Sequence, residues 1–382
     1  IESIGHAEHL LLTNHYPSDD DLYRNSFVHS RVCGYRERGV QMDVFRLRLD
    51  EAISHHEFED VKVITASQET LHQMLSSGQY KSVLVHFLSP AMWAVLQHHI
   101  DQIKVFVWMH GAEFQPWHRR DFDYQTEEQR AGAKVRSDRR MAFWRGLLQS
   151  IPANLKLVFV SRYFAEEVME DLGSRVPEAH YAIIHNPIDT DVFRYEKKSL
   201  DQRKKVLSVS SYASRKYATD LSARAIELLS SKPWFFDMEF RLIGDGPLFE
   251  DTVATLRKYK NVHIEQRFLK HDEIAALHKQ YGIFLCPTRW DSHGISRDEA
   301  MSSGLVPVTN AVAAIPEFVD ETCGVLVPPE DSAGLAEGIA KLYGAPELFS
   351  ARSAAAADKI RKERSSARTI GLELTLFVKN ES

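Results

Sequence analysis

Residues 282–310, "GIFLCPTRWDSHGISRDEAMSSGLVPVTN", contain the pattern on which the fold prediction rests. An apolar run from Ile283 to Pro287 predicts a strand, and a polar turn and a short helix follow it. A second apolar run begins at Leu305 and predicts the next strand. A helix between two such strands is typical of a parallel sheet in an α/β protein.

The same alternation continues in both directions along the chain. Apolar runs that predict strands lie at residues 9–14, 41–47, 82–88, 105–111, 155–161 and 181–187, and then at 206–211, 239–246, 262–268, 282–288, 305–310 and 324–329. Helical patterns lie between several of them, for example at 161–173. Each half of the chain is therefore predicted to form an α/β domain with a doubly wound, Rossmann-like sheet.

We expect the two domains to comprise residues 1–190 and 191–359. The charge-rich segment 194–205 lacks apolar periodicity and is predicted to be an interdomain linker. Residues 360–382 are expected to contain a last helix that completes the first domain. Because ligands of doubly wound sheets bind at the carboxyl ends of the strands, we expect the two domains to face each other across a ligand-binding cleft.

Composition narrows the class of protein. The 382 residues are 44% hydrophobic and 26% charged, and their formal net charge of −6 argues against a nucleic-acid partner. The scattered Cys33, Cys286 and Cys323 are typical of reduced thiols. The apolar run at 10–12 is too short for a signal peptide, and no run approaches the roughly 18–20 residues that span a bilayer. The predicted location is therefore cytoplasmic.

Familiar nucleotide and hydrolase motifs are missing from the sequence. Neither a GxxxxGK[ST] P-loop nor a GxGxxG fingerprint after an opening strand is present, and there is no GxSxG elbow. The "GDGP" at 244–247 on its own predicts only a tight turn. The cleft is therefore predicted to bind a ligand of another kind.

The helix in the opening stretch carries carboxylates at an end that attracts anions. Amide hydrogens at Gly294, Ile295 and Ser296 are positioned to bind a diphosphate. Glu299, about one turn further, can accept from two neighbouring ribose hydroxyls, and Asp291 can face a sugar. These residue types together suit a nucleotide sugar. The residues alone leave a second interpretation open, in which Asp291 only caps the helix and Glu299 is exposed.

The segment "DSHGISRDEAMSSGLVPV" resembles the E-x7-E signature of the GT-B glycosyltransferases called group 1, or family 4. Asp291 replaces the first Glu, His293 replaces an aromatic residue, and Glu299 matches the second Glu. Further agreements are Ala300, Met301, Gly304, Pro307 and Val308. Segments 158–168, 185–193, 241–247 and 315–331 also resemble family counterparts in the expected order. The resemblance covers nearly the whole chain and is strongest from 155 to 345.

The resemblance implies a GT-B fold and a UDP-, GDP- or ADP-linked sugar as donor substrate, with no cofactor or metal required. It also implies a basic pair that stabilises the departing diphosphate, for which "SVSSYASRKYATDL" (208–221) offers Arg215 and Lys216. The family often has Gly-Arg where this chain has Ser211-Tyr212, so the role of Arg215 is left open. The implied donor-binding residues are Arg215, Lys216, Arg267, Phe268, Leu269, Asp291, His293, Gly294, Ile295, Ser296 and Glu299.

In the first domain, the resemblance implies a histidine at the carboxyl end of a strand, near the hydroxyls of the donor sugar, and His110 in "WMHGAEFQPWH" (108–118) takes that place. Glu113 and the Asn25-Ser26 pair are the implied acceptor-side residues, although the family usually has a glycine-rich loop at the latter position. The implied catalytic residues are His110, Lys216 and Asp291.

Two other features have competing interpretations. The triplets "DDD" (19–21) and "DFD" (121–123) resemble a metal-binding D-x-D, but neither ends a strand and both are interpreted as polar loops. The basic, aromatic segment 117–148 is interpreted as a solvated helical insertion, and the alternative is peripheral contact with anionic lipid or a lipid-linked acceptor.

The resemblance therefore implies a metal-independent hexosyltransferase of polysaccharide biosynthesis that retains anomeric configuration. Its acceptor would be a glycan, a lipid-linked saccharide or a small molecule. Two alternatives stay open: a nucleotide-sugar epimerase or inverting transferase of the same fold, and a non-catalytic saccharide-binding protein with a decayed site.

Overall fold

The structure is a computed structural model that describes residues 7–18, 25–111 and 113–378. The chain divides into two compact units. Unit 1 comprises the described residues within Ile1–Pro116, Lys134–His185 and Thr369–Ser382, and unit 2 comprises Trp117–Ala133 and Asn186–Arg368. The predicted domain boundary at 190 lies close to the division at 185.

Unit 1 is built on an eight-stranded sheet with the order β3-β4-β2-β1-β5-β6-β7-β8. Its strands are β1 (His9–Thr13), β2 (Met42–Leu47), β3 (Ser54–Phe58), β4 (Val61–Ala66), β5 (Ser82–His86), β6 (Lys104–Met109), β7 (Leu155–Phe159) and β8 (Tyr181–Ile183). All neighbouring strands are parallel except β3, which pairs antiparallel with β4. The central strands β1 and β5 are buried along their whole length, as both faces of a covered parallel sheet require.

The helices of unit 1 cover this sheet. They are α1 (Ser26–Arg36), α2 (Gln68–Leu75), α3 (Pro90–Leu96), the carboxyl-terminal part of α4 (Glu127–Gln149), α5 (Arg162–Leu172) and most of α13 (Ser366–Phe377). Helix α5 shows how local sequence sets its ends, because the Ser161 hydroxyl accepts from the Phe164 N–H at 3.1 Å and Gly173 ends the helix at φ 70°. Ile370 and Phe377 of α13 belong to the same buried core as β1 and α1.

Unit 2 is built on a six-stranded parallel sheet with the order β11-β10-β9-β12-β13-β14. Its strands are β9 (Lys205–Val209), β10 (Glu239–Gly244), β11 (Val262–Gln266), β12 (Ile283–Leu285), β13 (Val306–Asn310) and β14 (Val325–Val327). Its helices are α6 (Thr219–Leu229), α7 (Phe249–Val253), α8 (His271–Gln280), α9 (Ile295–Ser302), α10 (Ile315–Phe318), α11 (Ser332–Gly344) and α12 (Pro346–Glu363). Both units are Rossmann-like, which confirms the predicted fold class.

The structure differs from the sequence-based expectations in two places. The hairpin of β3 and β4 was not predicted, and its turn residues Glu59 and Asp60 have φ values of 45° and 62° without the glycine that usually marks such a turn. The segment 194–205, predicted as a linker, lies within unit 2. Two of its lysines contact other parts of unit 2: Lys198 is buried and donates to the His278 carbonyl, and Lys204 Nζ lies 2.9 Å from Asp237 Oδ2.

The segment 117–148 forms a 3-10 turn at Trp117–Asp123 followed by α4. The exposed residues of α4 include the basic Lys134, Arg136, Arg139 and Arg145 and the acidic Glu127, Glu128 and Asp138. None of the helices in the described ranges has the length and apolar content needed to cross a bilayer.

Candidate functional site

The sheet of unit 2 has a topological switch point between β9 and β12. The chain runs from β9 outward to β10 and β11, and then returns to the other side of β9 to form β12. The loops that leave the carboxyl ends of β9 and β12 therefore diverge, and such a crevice is where doubly wound sheets bind ligands. A cavity of about 270 Å³ lies there, lined by residues 208–211, 284–288 and 294–297 and by Asp291.

The start of α9 faces this cavity. Gly294 is the residue before the helix and has a φ of 92°, which favours glycine. A Cβ atom at this position would lie 2.6 Å from Nη1 of Arg297, so the glycine leaves room for a guanidinium group. The amides of Gly294, Ile295 and Ser296 were predicted to bind a diphosphate, and all three residues line the cavity.

The two carboxylates of the signature lie in different surroundings. Asp291 lines the cavity, and its Oδ1 accepts from the His293 N–H at 3.0 Å, as in a capping turn. Glu299 lies one turn further along α9, outside the cavity lining, and is partly buried. Burial and the nearby Asp298 and Asp189 raise the pKa of Glu299 to about 8.

The His293 side chain does not line the cavity. Its ring stacks on Phe318 with the centroids 4.3 Å apart, and its Nε2 lies 2.9 Å from Oδ2 of Asp298. Nδ1 lies 3.1 Å from the backbone nitrogen of Asn186. His293, predicted to bind the donor, is therefore not among the residues that line the cavity, and its ring packs in the interior of unit 2.

A buried ion cluster around Asp298 was not predicted from the sequence. Arg297 Nη2 donates to Asp298 Oδ1 at 2.8 Å, and Arg364 Nε lies 2.7 Å from Oδ2. Although burial alone would raise the pKa of Asp298, Arg364 and Arg297 hold it well below its usual range. The sequence offered one signal for this cluster. The charged pair Arg297-Asp298 stands next to the apolar residues Ala300 and Met301, which are buried in the structure.

The predicted basic pair lies on a 3-10 turn, Arg215–Tyr217, that follows β9. Arg215 is exposed. The Nζ atom of Lys216 lies 5.3 Å from the centroid of the Tyr217 ring and 5.4 Å from that of Trp290. Lys216 forms no ion pair with any residue of the described ranges, so no carboxylate within those ranges neutralises its charge.

The predicted nucleobase segment presents one apolar side chain to solvent. Phe268 is 60% exposed, whereas Leu269 is buried in the core. Arg267 is paired with Glu265 at 2.9 Å and with Glu273 at 2.7 Å. Of these three predicted donor-binding residues, none lines the cavity, and Phe268 is the one with an exposed apolar side chain.

In unit 1, His110 follows β6 and packs among aromatic rings. Its ring centroid lies 4.9 Å from that of Phe27 and 4.8 Å from that of Phe87. His110 Nε2 and His86 Nδ1 are 2.9 Å apart. Burial and the charge of Arg31 hold the pKa of His110 well below its usual value, so the imidazole is neutral at neutral pH.

The predicted acceptor-side residues lie near this histidine. The Glu113 carboxylate accepts from the backbone N–H groups of His110 and Gly111, and burial raises its pKa to about 7. Asn25 precedes α1 at a φ of 58°, and Ser26 is the first residue of that helix. Phe27, the next residue, contacts His110, so unit 1 brings Asn25, Ser26, Glu113 and His110 into one region.

The carboxylate triplet at 19–21 lies outside the described residues. In the triplet at 121–123, Asp121 pairs with Arg130 at 2.9 Å and Asp123 pairs with Arg120 at 2.8 Å. Within the described ranges, no three histidine, cysteine or acidic side chains are arranged as a metal site requires.

The chain resembles known proteins both in sequence and in structure. Residues 203–345 match the family model described as Glycosyl transferases group 1. Sucrose-phosphate synthase from Thermosynechococcus elongatus has a TM-score of 0.72 at 14% identity, over 97% of this chain and 98% of that one. The pneumococcal O-GlcNAc transferase GtfA, in complex with UDP and GlcNAc, has a TM-score of 0.66 at 12% identity, over 97% and 99% of the two chains.

The chain has the GT-B fold. The segment that matches the group 1 family model covers most of unit 2 of this GT-B structure and includes Lys216, Asp291 and Glu299. A curated relative is N-acetyl-alpha-D-glucosaminyl L-malate synthase of Bacillus anthracis. It is 27% identical over an alignment of 186 residues that covers 45% of this chain. The match spans 46% of that relative, so the chain is similar to about half of its length.

Proposed function

We propose that the chain is a hexosyltransferase that moves a sugar from a nucleoside diphosphate to an acceptor hydroxyl. The observation that carries this proposal is the cavity at the switch point of unit 2, where Asp291 and the start of α9 line the same space. The family match over residues 203–345 supports it. The similar GT-B protein GtfA is described in complex with UDP and GlcNAc, which supports a nucleotide sugar as donor.

The diphosphate of the donor would lie at the start of α9. Its oxygens would accept from the amides of Gly294, Ile295 and Ser296, and the charge of Lys216 would stabilise the diphosphate as it leaves. Lys216 suits this role because no carboxylate of the described residues pairs with it. Phe268 would pack on the base, and Arg215 would add a more distant positive charge.

Glu299 and Asp291 would bind the two sugars of the donor. A carboxyl group with a pKa of about 8 is largely protonated at neutral pH, so Glu299 can both donate to and accept from the vicinal hydroxyls of a ribose. Asp291 would face the transferred hexose, where a carboxylate stabilises the positive charge that develops on the ring. His110, as a neutral imidazole, would hydrogen-bond a donor-sugar hydroxyl.

We also propose retention of configuration without a metal. In this mechanism the bond from the anomeric carbon to the phosphate oxygen breaks, and the acceptor oxygen attacks from the same face. The departing phosphate takes the acceptor proton, so no protein base is needed. Asn25, Ser26 and Glu113 would contact the acceptor. The acceptor is proposed to be a glycan, a lipid-linked saccharide or a small molecule, and the exposed basic residues of α4 are proposed to contact anionic lipid.

The test begins with thermal-shift measurements against UDP-, GDP- and ADP-linked sugars, followed by turnover with the best donor in the presence and absence of EDTA. Nuclear magnetic resonance of the product then reads the anomeric configuration. Transfer with retention that survives EDTA supports the whole proposal. An inverted product would instead identify an inverting transferase, and an epimerised donor would identify a nucleotide-sugar epimerase. Saccharide binding without turnover of any donor would identify a non-catalytic protein.

A further inference from the structure

The turn that carries Lys216 is held by side chains on both sides of its backbone. The N–H of Lys216 donates to Ser214 Oγ at 3.0 Å. Its carbonyl oxygen accepts from the Arg289 N–H at 2.7 Å, and Thr288 Oγ1 lies 3.0 Å from this oxygen and 3.0 Å from the Trp290 carbonyl oxygen. Both backbone groups of the residue are therefore fixed, which fixes the point from which its side chain extends.

On the amide side, the geometry determines which way the Ser214 hydroxyl points. Ser214 Oγ lies 2.6 Å from Oδ1 of Asp123, and a carboxylate can only accept. The single hydroxyl hydrogen is therefore donated to Asp123, and a lone pair of Oγ is left for the Lys216 N–H. Arg120 donates to the other oxygen of Asp123 at 2.8 Å, so both carboxylate oxygens accept a hydrogen bond.

On the carbonyl side, Arg289 is fully engaged by protein groups. Its guanidinium makes bidentate contacts of 2.8–2.9 Å with Asp220 and two contacts of 2.8 Å with Glu330. Its Nη1 also donates to the carbonyl of Arg215 at 2.9 Å. With all of its nitrogens occupied, Arg289 holds the turn rather than binding a ligand.

Asp123 comes from a segment that interrupts unit 1 in the sequence but belongs to unit 2 in the structure. Asp123 belongs to the segment Trp117–Ala133, which lies between β6 and β7 of the unit 1 sheet in the sequence. The segment nevertheless groups with unit 2, and its 3-10 turn, Trp117–Asp123, packs on the turn at Arg215–Tyr217. Within the triplet at 121–123, Asp123 thus accepts a hydrogen bond from Ser214, a residue of unit 2 that follows β9.

We propose that Asp123 and Arg289 are positioning residues that hold Lys216 at the donor phosphates. This inference rests on the proposed function of Lys216. Asp123 acts through the Ser214 hydroxyl on the amide of Lys216. The Arg289 side chain acts on the neighbouring residue, because its Nη1 donates to the Arg215 carbonyl at 2.9 Å, while its backbone N–H donates to the Lys216 carbonyl.

The first test compares Asp123→Ala with Asp121→Ala. Asp121 is the matched control because it lies in the same turn and pairs with Arg130, without contact to Ser214. We expect Asp123→Ala to lower kcat by about 10-fold, the scale of one hydrogen bond to a charged group, with a smaller change in KM. Asp123→Asn keeps an acceptor oxygen and should retain more activity than Asp123→Ala. Equal kcat values for the two alanine variants would overturn the role of Asp123.

The second test is a double-mutant cycle with Lys216→Ala. If Asp123 and Arg289 act through Lys216, then Asp123→Ala and Arg289→Ala should each lower kcat in the wild type and change it less than about 2-fold when Lys216 is already alanine. Full additivity of either pair would show that the residue acts elsewhere. Arg289→Lys should not restore the wild-type rate, since an ammonium group cannot reproduce the forked contacts with Asp220 and Glu330.

The third test does not need turnover. Hydrogen exchange followed by mass spectrometry reports the amides of residues 214–218, and we expect Asp123→Ala to speed exchange there by about 10-fold while Asp121→Ala leaves it unchanged. Faster exchange in a protein without donor turnover would support the positioning role and contradict the proposed function. Unchanged exchange in Asp123→Ala would contradict the positioning role, whatever the activity.

Discussion

Arg31 in the first helix and Glu373 in the last helix form an ion pair in which both side chains are fully buried. The Arg31 Nε donates to Glu373 Oε1 at 2.9 Å, although the two residues are separated by 342 positions. Trp108 Nε1 donates to the same oxygen at 3.1 Å, and the Tyr35 hydroxyl donates to the other oxygen. Because every oxygen of the buried carboxylate has a donor, α13 is joined to unit 1 by polar as well as apolar contacts.

The first prediction concerns this ion pair. Glu373→Ala leaves the Arg31 guanidinium buried without its countercharge, so we expect the free energy of unfolding to fall by about 3–5 kcal/mol. Urea denaturation measures the change. Leu372→Ala is the matched control, because Leu372 is the adjacent residue and is 43% exposed, and it should cost much less. A loss of less than about 1 kcal/mol for Glu373→Ala would contradict the expected contribution of a buried pair.

The second prediction concerns the charge of Lys216. If Lys216 stabilises the departing diphosphate, Lys216→Ala should lower kcat by about 10²–10³, the scale for losing one charge-stabilising donor. Arg215 is exposed and should have a smaller effect when changed to alanine. Steady-state kinetics with the donor found by thermal shift measure both. Lys232→Ala removes an exposed lysine of the same unit and controls for a general loss of positive charge. Wild-type turnover in a folded Lys216→Ala protein would remove Lys216 from the mechanism.

The third prediction concerns Gly294. Alanine at a φ of 92° is strained by about 1–2 kcal/mol, and its Cβ would lie 2.6 Å from the Arg297 guanidinium. We expect Gly294→Ala to lower both the unfolding free energy and the affinity for a nucleoside diphosphate, measured by denaturation and calorimetry. In Gly146→Ala the new Cβ, within α4, meets no heavy atom within 4 Å, so helix stability should rise by about 0.5–1 kcal/mol without affecting affinity. Unchanged affinity in Gly294→Ala would argue against a diphosphate at this helix start.

The fourth prediction concerns pH. The folded protein raises the pKa of Glu299 from 4.5 to about 8, so between these values the folded state keeps a proton that the unfolded state has lost. The stability that Glu299 contributes is therefore complete below pH 4.5 and falls as pH rises toward 8, by at most about 1.4 kcal/mol per pH unit. Glu299→Gln should remove this decline, as measured by urea denaturation from pH 5 to 8.

The same experiment with Glu337→Gln provides a control, because Glu337 is an exposed glutamate of unit 2. Its stability profile should follow the wild type. If the wild type and Glu299→Gln profiles run parallel across this pH range, the proton on Glu299 is not held by the folded state.

Much of the fold could be predicted because a parallel sheet is encoded by local patterns. Twelve apolar runs predicted strands, and each overlaps a strand of the structure. Two strands were not predicted. Ser54–Phe58 could not be found in this way, since it is a polar edge strand whose residues are mostly exposed, whereas Val61–Ala66 has a buried apolar pattern and was missed. The position of Ser54–Phe58 depends on pairing with Val61–Ala66 and not on its own apolar pattern.

The site was predictable only where chemistry follows from backbone geometry. The start of α9 and Asp291 could be placed beside a cavity because a strand, a glycine turn and a helix fix that arrangement. The partners of Asp298 and of Lys216 could not, because Arg364 and Asp123 are distant in sequence and meet these residues only in the folded chain. Charge at a core position signals a buried pair, but it does not identify the partner.

The place of α13 in unit 1 has a consequence for biosynthesis. During translation the β1 strand leaves the ribosome first, yet the helix that supplies Glu373, Ile370 and Phe377 to its core is made after nearly all of the other described residues. Residues 186–368 can form their own core before this helix emerges. Of the two units, the one whose first strand is synthesised earlier is therefore the one whose core is completed later, because Arg31 gains its buried countercharge only when Glu373 has been made.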